Sequence, residues 1–174
     1  MSSIIRVDTI QKANGDTPAP VDVGLNITGN VLNLDFSYLT TSLTINTTSW
    51  TDVPGASMTI TPTATTSSIL IEFFANAYVG NNESSTAWSS IQFRILRDGS
   101  TVLTAPNPNT TDYHIAQFGG DNNRMMGTFG FAQIDSPSTT SSTTYKVQCF
   151  RNGSQSQYVN RYGRGGMSLT EIAG

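Results

Sequence analysis

The sequence is poor in charge. Only 12% of its 174 residues are charged, Lys12 and Lys146 are the only lysines, and the formal net charge is −3. A nucleic-acid-binding surface needs clustered basic residues, and the chain contains no basic tract. We therefore expect no nucleic-acid partner.

Cysteine and histidine are almost absent, since Cys149 and His114 occur once each. One cysteine excludes an intrachain disulfide, and the pair supplies too few ligands for a zinc site. Neither residue lies in a nucleophile turn, so we expect a core cysteine and an ordinary strand histidine. The acidic residues are scattered singly, without the paired spacing of a glycosidase. The sequence thus predicts a non-enzyme with no catalytic residue, metal or cofactor.

Long apolar runs are also missing. No stretch is long enough to span a bilayer, and residues 1–8 lack the apolar core of a signal peptide. We expect the chain to be made in a cytoplasm and not to be secreted by the usual route. We also expect that it does not insert into a membrane.

Helical periodicity is nearly absent, whereas alternation of apolar and polar residues is frequent. The clearest strand, residues 68–79, has a fully apolar face and a second, mixed face. Further strands are predicted at 89–97, 101–104, 113–118, 125–134, 144–150 and 167–172, with turns at 52–55 and 98–99 and a loop from 152 to 166. This pattern predicts an all-β fold, an antiparallel β-sandwich of the jelly-roll kind.

The chain divides into two predicted parts. Residues 37–174 form the sandwich, and residues 1–36 form an extended β arm for attachment and trimerisation, because short strands with little bulk are marginal alone. The apolar residues that alternate in this arm are Ile5, Val7, Ile10, Val21 and Val23.

Leu70, Phe74 and Tyr78 lie on the mixed face of the strand at 68–79. A monomer rarely exposes such a row, whereas a symmetric homo-oligomer covers it. Arg161 and Tyr162 lie in a glycine-rich loop, and both residue types are typical of protein interfaces. We predict that these five residues contribute to a trimer interface, with glycan recognition by the Arg161–Tyr162 loop as the alternative.

Several short motifs resemble those of phage tail-fibre and virion structural proteins, in the order found there. They are Ile5-Arg6-Val7-Asp8-Thr9-Ile10-Gln11 before Asn14-Gly15, Ser67-Ser68-Ile69-Leu70-Ile71, Arg97-Asp98-Gly99, Ile134-Asp135-Ser136-Pro137, Thr143-Thr144-Tyr145-Lys146-Val147-Gln148, Val159-Asn160-Arg161 and Ser168-Leu169-Thr170-Glu171-Ile172.

Proteins of this group are similar to the trimeric jelly rolls of the complement globular head and of tumour necrosis factor. The resemblance implies a virion protein, made in the host bacterial cytoplasm, that forms a homotrimer around an axis lined by apolar and aromatic side chains. It would be a short tail fibre whose arm docks on tail or baseplate proteins and whose head faces the host surface, with a host glycan as a further partner. The alternatives are a capsid decoration (cement) protein and, less favoured, a glycan-cleaving fibre enzyme.

Overall fold

The computed structural model describes residues 29–80, 89–103, 114–117, 124–152 and 156–174. These residues contain no helix and form eleven strands. The strands are β1 (Val31–Tyr38), β2 (Leu43–Ile45), β3 (Thr51–Ile60), β4 (Ser68–Gly80), β5 (Ser89–Arg97), β6 (Ser100–Leu103), β7 (His114–Gln117), β8 (Arg124–Asp135), β9 (Thr143–Asn152), β10 (Gln157–Val159) and β11 (Gly166–Ile172).

The strands form two sheets in which every pairing is antiparallel. In the front sheet, the long β4 pairs with β8 on one side and with β11 and then β10 on the other. β1 lies outside β11, and β2 lies outside β10. The back sheet has the order β3-β9-β5, and β6 and β7 pair with the free side of β5. The all-β antiparallel sandwich predicted from the sequence is confirmed, whereas its jelly-roll subclass stays a prediction.

The core lies between the sheets and follows from the alternation in β4. Its inward residues are Ile69, Ile71, Phe73, Ala75, Ala77 and Val79, and all are buried. Phe73 faces Phe93 of the back sheet, with ring centroids 5.8 Å apart. Tyr145, Val147 and Cys149 of β9 are buried in the same cluster. Burial of apolar side chains at every second position is the main force that fixes the register of both sheets.

Asp98 and Gly99 connect β5 to β6 as the sequence predicts. Both have positive φ angles, 48° and 83°, which the tightest hairpin turns require. The predicted turn at 52–55 is wrong, because these residues lie within β3. The register opposite β9 shifts between Asp52 and Ser57, so an irregularity in an edge strand accommodates Pro54 without ending the strand.

The predicted boundary after residue 36 falls inside β1. This strand pairs with β11 from Val31 to Tyr38, so residues 31–36 form part of the front sheet. The predicted arm residues, Ile5, Val7, Ile10, Val21 and Val23, lie outside the described residues. The predicted loop from 152 to 166 contains the short strand β10, which pairs with both β2 and β4.

Candidate functional site

The outer face of the front sheet carries large apolar side chains from one edge strand to the other. Its large side chains come from β1, β4 and β8, and we call them the apolar face: Leu34, Phe36, Tyr38, Leu70, Phe74, Tyr78, Met126 and Ile134. Six of them, all except Leu70 and Tyr78, expose between 37% and 71% of their surface. So many exposed large apolar side chains on one face are unusual on a monomer.

Register explains how one face collects these residues. Leu70 of β4 is opposite Thr170 of β11 and Ile134 of β8, and Thr170 is in turn opposite Leu34 of β1. Side chains at paired positions point to the same side of a sheet. Four strands therefore place one side chain each in a row that crosses the whole face.

Aromatic rings cover a second row through Phe74. Phe36 stacks near Phe74 with centroids 6.1 Å apart, and Tyr38 meets Phe36 edge to face at 4.6 Å. Gly166 lies beneath them: a Cβ there would lie 2.5 Å from the Cζ atom of Phe36 and 3.0 Å from that of Phe74. The missing side chain thus lets both rings lie close to the sheet.

One end of this face carries an arginine among tyrosines. The Arg161 guanidinium lies 4.8 Å from the ring centre of Tyr78, 4.5 Å from that of Tyr158 and 5.8 Å from that of Tyr162. Tyr78 and Tyr158 are opposite each other on β4 and β10. Attraction between the cation and the ring faces holds Arg161 against the sheet.

Asn160 shapes the loop that presents Arg161. Its backbone adopts a positive φ of 56°, which asparagine tolerates better than most residues. Its buried amide donates to the carbonyl oxygens of Leu39 and Thr41 and accepts from the backbone N–H groups of Arg164 and Gly165. These four hydrogen bonds fix the loop from 160 to 165 against the front sheet.

Charge on the apolar face is scarce. Glu72 of β4 lies between the two rows described above, opposite Ser168 and Ala132, and its Oε2 accepts a hydrogen bond from the Ser168 hydroxyl at 3.0 Å. With so few groups to desolvate, covering the face with another apolar surface carries a small electrostatic penalty.

The structure brings the five predicted interface residues to this one face. Leu70, Phe74 and Tyr78 follow one another along β4, and Arg161 packs on Tyr78 beside Tyr162. The sequence prediction missed the aromatic and aliphatic residues that β1 and β8 contribute. Alternation of Leu32, Leu34, Phe36 and Tyr38 was the available signal.

The candidate nucleophile is enclosed in the core. Burial, together with the nearby Asp52 carboxylate, raises the pKa of Cys149 to about 12, so the thiol stays protonated at neutral pH and unreactive. The backbone of His114 lies in β7. Among the residues that the structure describes, no three His, Cys, Asp or Glu side chains cluster as metal ligands.

Two residues of the resembling motifs act as internal ties. The Asp135 Oδ2 atom of β8 accepts from the Tyr145 hydroxyl at 2.6 Å and pairs with Arg97 at 2.7 Å, which links the front sheet to the back sheet. Glu171 is buried, and its Oε1 atom accepts from both the N–H and the hydroxyl of Thr63, at 2.6 and 2.7 Å. Both carboxylates therefore stabilise the fold through contacts within the chain.

No helix in the described ranges is long and apolar enough to cross a membrane. No protein-family model matches this chain, and no curated protein matches it significantly. Inference about its role therefore starts from the apolar face and from the motifs named above.

Proposed function

We propose that the chain is a structural subunit of a phage virion, a short homotrimeric tail fibre. In this proposal the segment that precedes β1 docks on the tail or baseplate and the sandwich faces the host surface. The apolar face is the observation that carries the proposed homotrimer, because it leaves six large apolar side chains exposed.

Self-association accounts for this face in a simple way. Burying a half-exposed Leu or Phe contributes roughly 1 kcal/mol, whereas association costs about 4–15 kcal/mol in lost freedom. One or two side chains are too few, whereas six such side chains from each copy bring the gain into the range of that cost. Closed cyclic symmetry is the usual arrangement of such contacts in soluble homo-oligomers.

The motifs favour a virion protein over other trimers. Asp135, Asn160 and Glu171 belong to the segments that resemble phage fibres, and each forms hydrogen bonds that connect distant strands or loops. A related fold would need the same ties at the same points of the chain.

Immunogold labelling of intact virions with an antibody against the sandwich tests the role. Gold at the tail or baseplate, at a few trimers per virion, is the expected result. Gold spread over the capsid, at one trimer per lattice position, would show that the chain is a cement protein and not a fibre. Virions that carry no label and contain no such chain by mass spectrometry would overturn both.

A further inference from the structure

The outer face of the back sheet contains a cleft with a different composition. Trp50, Gln92, Phe150 and Asn152 line it, and its volume is about 280 Å³. Gln92 and Phe150 are opposite each other on β5 and β9, and Asn152 follows two residues later on the same face of β9. A monosaccharide ring fits a cleft of this size.

Two aromatic rings wall the cleft. Trp50 and Phe150 have centroids 5.6 Å apart and planes tilted by 44°, so they form an open angle instead of a closed stack. Both rings are half-buried. Such a pair offers an apolar surface to the C–H bonds of a flat, polar ligand.

Two amides complete the lining. None of the hydrogen bonds found among the described residues uses the side-chain amide of Gln92 or Asn152, although Gln92 is only 8% exposed. An amide offers both donors and an acceptor. These groups can therefore bind ligand hydroxyls in both hydrogen-bonding directions.

A polar chain of contacts fixes the Trp50 wall in advance. The Arg94 guanidinium lies 4.4 Å from the Trp50 ring centre and donates through Nε to the Gln148 Oε1 atom at 2.8 Å. Gln148 in turn donates to Asp52 at 2.6 Å, and Lys146 donates to the same carboxylate at 2.9 Å. Ordering these groups before binding lowers the entropy lost on binding.

The same chain of contacts neutralises the local charges. Hydrogen bonds from Gln148 and Lys146 lower the pKa of Asp52 below its ordinary value, so the carboxylate stays ionised beside Lys146 and near Arg94. The four lining residues themselves carry no charge. The cleft thus favours an uncharged ligand over an acidic or a basic one.

We propose that this cleft binds a neutral pyranose unit of a glycan. Trp50 and Phe150 pack against the C–H face of the sugar, while Gln92 and Asn152 exchange hydrogen bonds with its hydroxyls. The biological role of this site rests on the proposed function, because a neutral glycan is the ligand class that the sandwich would recognise on the host surface. Because the cleft and the apolar face lie on opposite sides of the sandwich, trimer formation leaves the cleft open.

Saturation-transfer NMR and calorimetry on the full-length protein test the cleft. The probes are trisaccharides of glucose, galactose, rhamnose and N-acetylglucosamine, with sialyllactose as the acidic arm. We expect binding of at least one neutral probe, with weaker or no binding of sialyllactose. Trp50→Ala should reduce affinity at least about tenfold, the equivalent of ~1.4 kcal/mol, and Asn152→Ala severalfold.

Two control variants locate the site. Thr59→Ala changes the same outer face far from the cleft, and Tyr162→Ala changes the arginine–tyrosine cluster; both should leave affinity within about twofold, since a lost surface contact elsewhere carries little binding energy. Asn152 is exposed, so Asn152→Ala keeps the core intact if Trp50→Ala fails to fold.

Three results would overturn the site: no transfer from any neutral probe, binding that survives both cleft variants, or binding lost with Tyr162→Ala instead. Virion labelling remains a separate measurement. If the protein is absent from virions but binds neutral sugars through Trp50, the fibre proposal is refuted and the sugar site stands. If it is present in virions but binds no neutral sugar, the sugar site is refuted and the fibre proposal stands.

Discussion

The side chains on the two outer faces of the sandwich differ in whether they have partners within the chain. On the back sheet, Lys146, Asp52, Gln148 and Arg94 form hydrogen bonds and an ion pair with one another. On the front sheet, six of the eight side chains of the apolar face remain exposed. Both faces arise from the same two-residue alternation. The difference shows that strand pattern decides which residues leave the core, whereas residue type decides whether the face needs a partner.

The largest expected effect comes from placing a charge on the apolar face. Phe74→Glu should dissociate the proposed trimer completely, because a buried carboxylate without a partner would face the neighbouring copy. Sedimentation velocity measures the change. Thr59→Glu adds the same charge to the back face and should leave the trimer intact.

The proposed difference between the two faces would be wrong if both variants had the same effect on trimer dissociation. A trimer that survives Phe74→Glu, or one that dissociates equally with Thr59→Glu, would mean that the apolar face is not the contact.

The next effect concerns the loop that carries Arg161. Asn160→Ala removes four hydrogen bonds from a buried site, and we expect a loss of about 2–4 kcal/mol in unfolding free energy. Urea denaturation measures it. Asn46→Ala changes an exposed asparagine and should stay within about 0.5 kcal/mol of the parent; a similar loss in both variants would argue against the role of Asn160.

A smaller effect compares a buried tie with an exposed one. Tyr145→Phe removes the hydrogen bond to Asp135 that connects the sheets and should lower stability by about 1 kcal/mol. Lys146→Gln breaks the exposed pair with Asp52 and should change stability by less than ~0.5 kcal/mol. Equal losses in urea denaturation would contradict the distinction between the interior and the back face.

The smallest expected effect at neutral pH is the pH dependence of stability. It comes from ionisable side chains in the core between the two sheets. The unfolded Cys149 thiol ionises near pH 8.5, whereas burial raises its folded pKa to about 12. Burial, and then the hydrogen bond to Asp135, also raises the pKa of Tyr145 above its usual range. The unfolded state therefore releases protons first, and stability that is complete at neutral pH should fall as pH rises above about 8.5.

Melting temperatures between pH 7 and 11 check this dependence. Cys149→Ala should melt lower at every pH because it leaves a cavity, but its melting temperature should fall less steeply with pH. An unchanged slope would show that the thiol is not the titrating group.

The sequence was sufficient for the long central strands and insufficient for their pairing partners. Alternation located β4 and β5 almost to the residue, and Asp98-Gly99 identified the hairpin, because both signals are local. Pairing of β1 with β11 joins positions about 130 residues apart, so no local pattern could show that Phe36 would lie over Gly166 beside Phe74. The cleft was missed for the same reason, since Trp50 and Phe150 meet only through the register of the back sheet.

The mass of the full-length protein in solution tests the central claim most directly. Light scattering coupled to size-exclusion chromatography should give about three times the 18.7 kDa chain mass, and the value should hold on dilution to low micromolar concentration. A single monomeric species at every concentration would contradict the claim that the apolar face is covered by other copies of this chain.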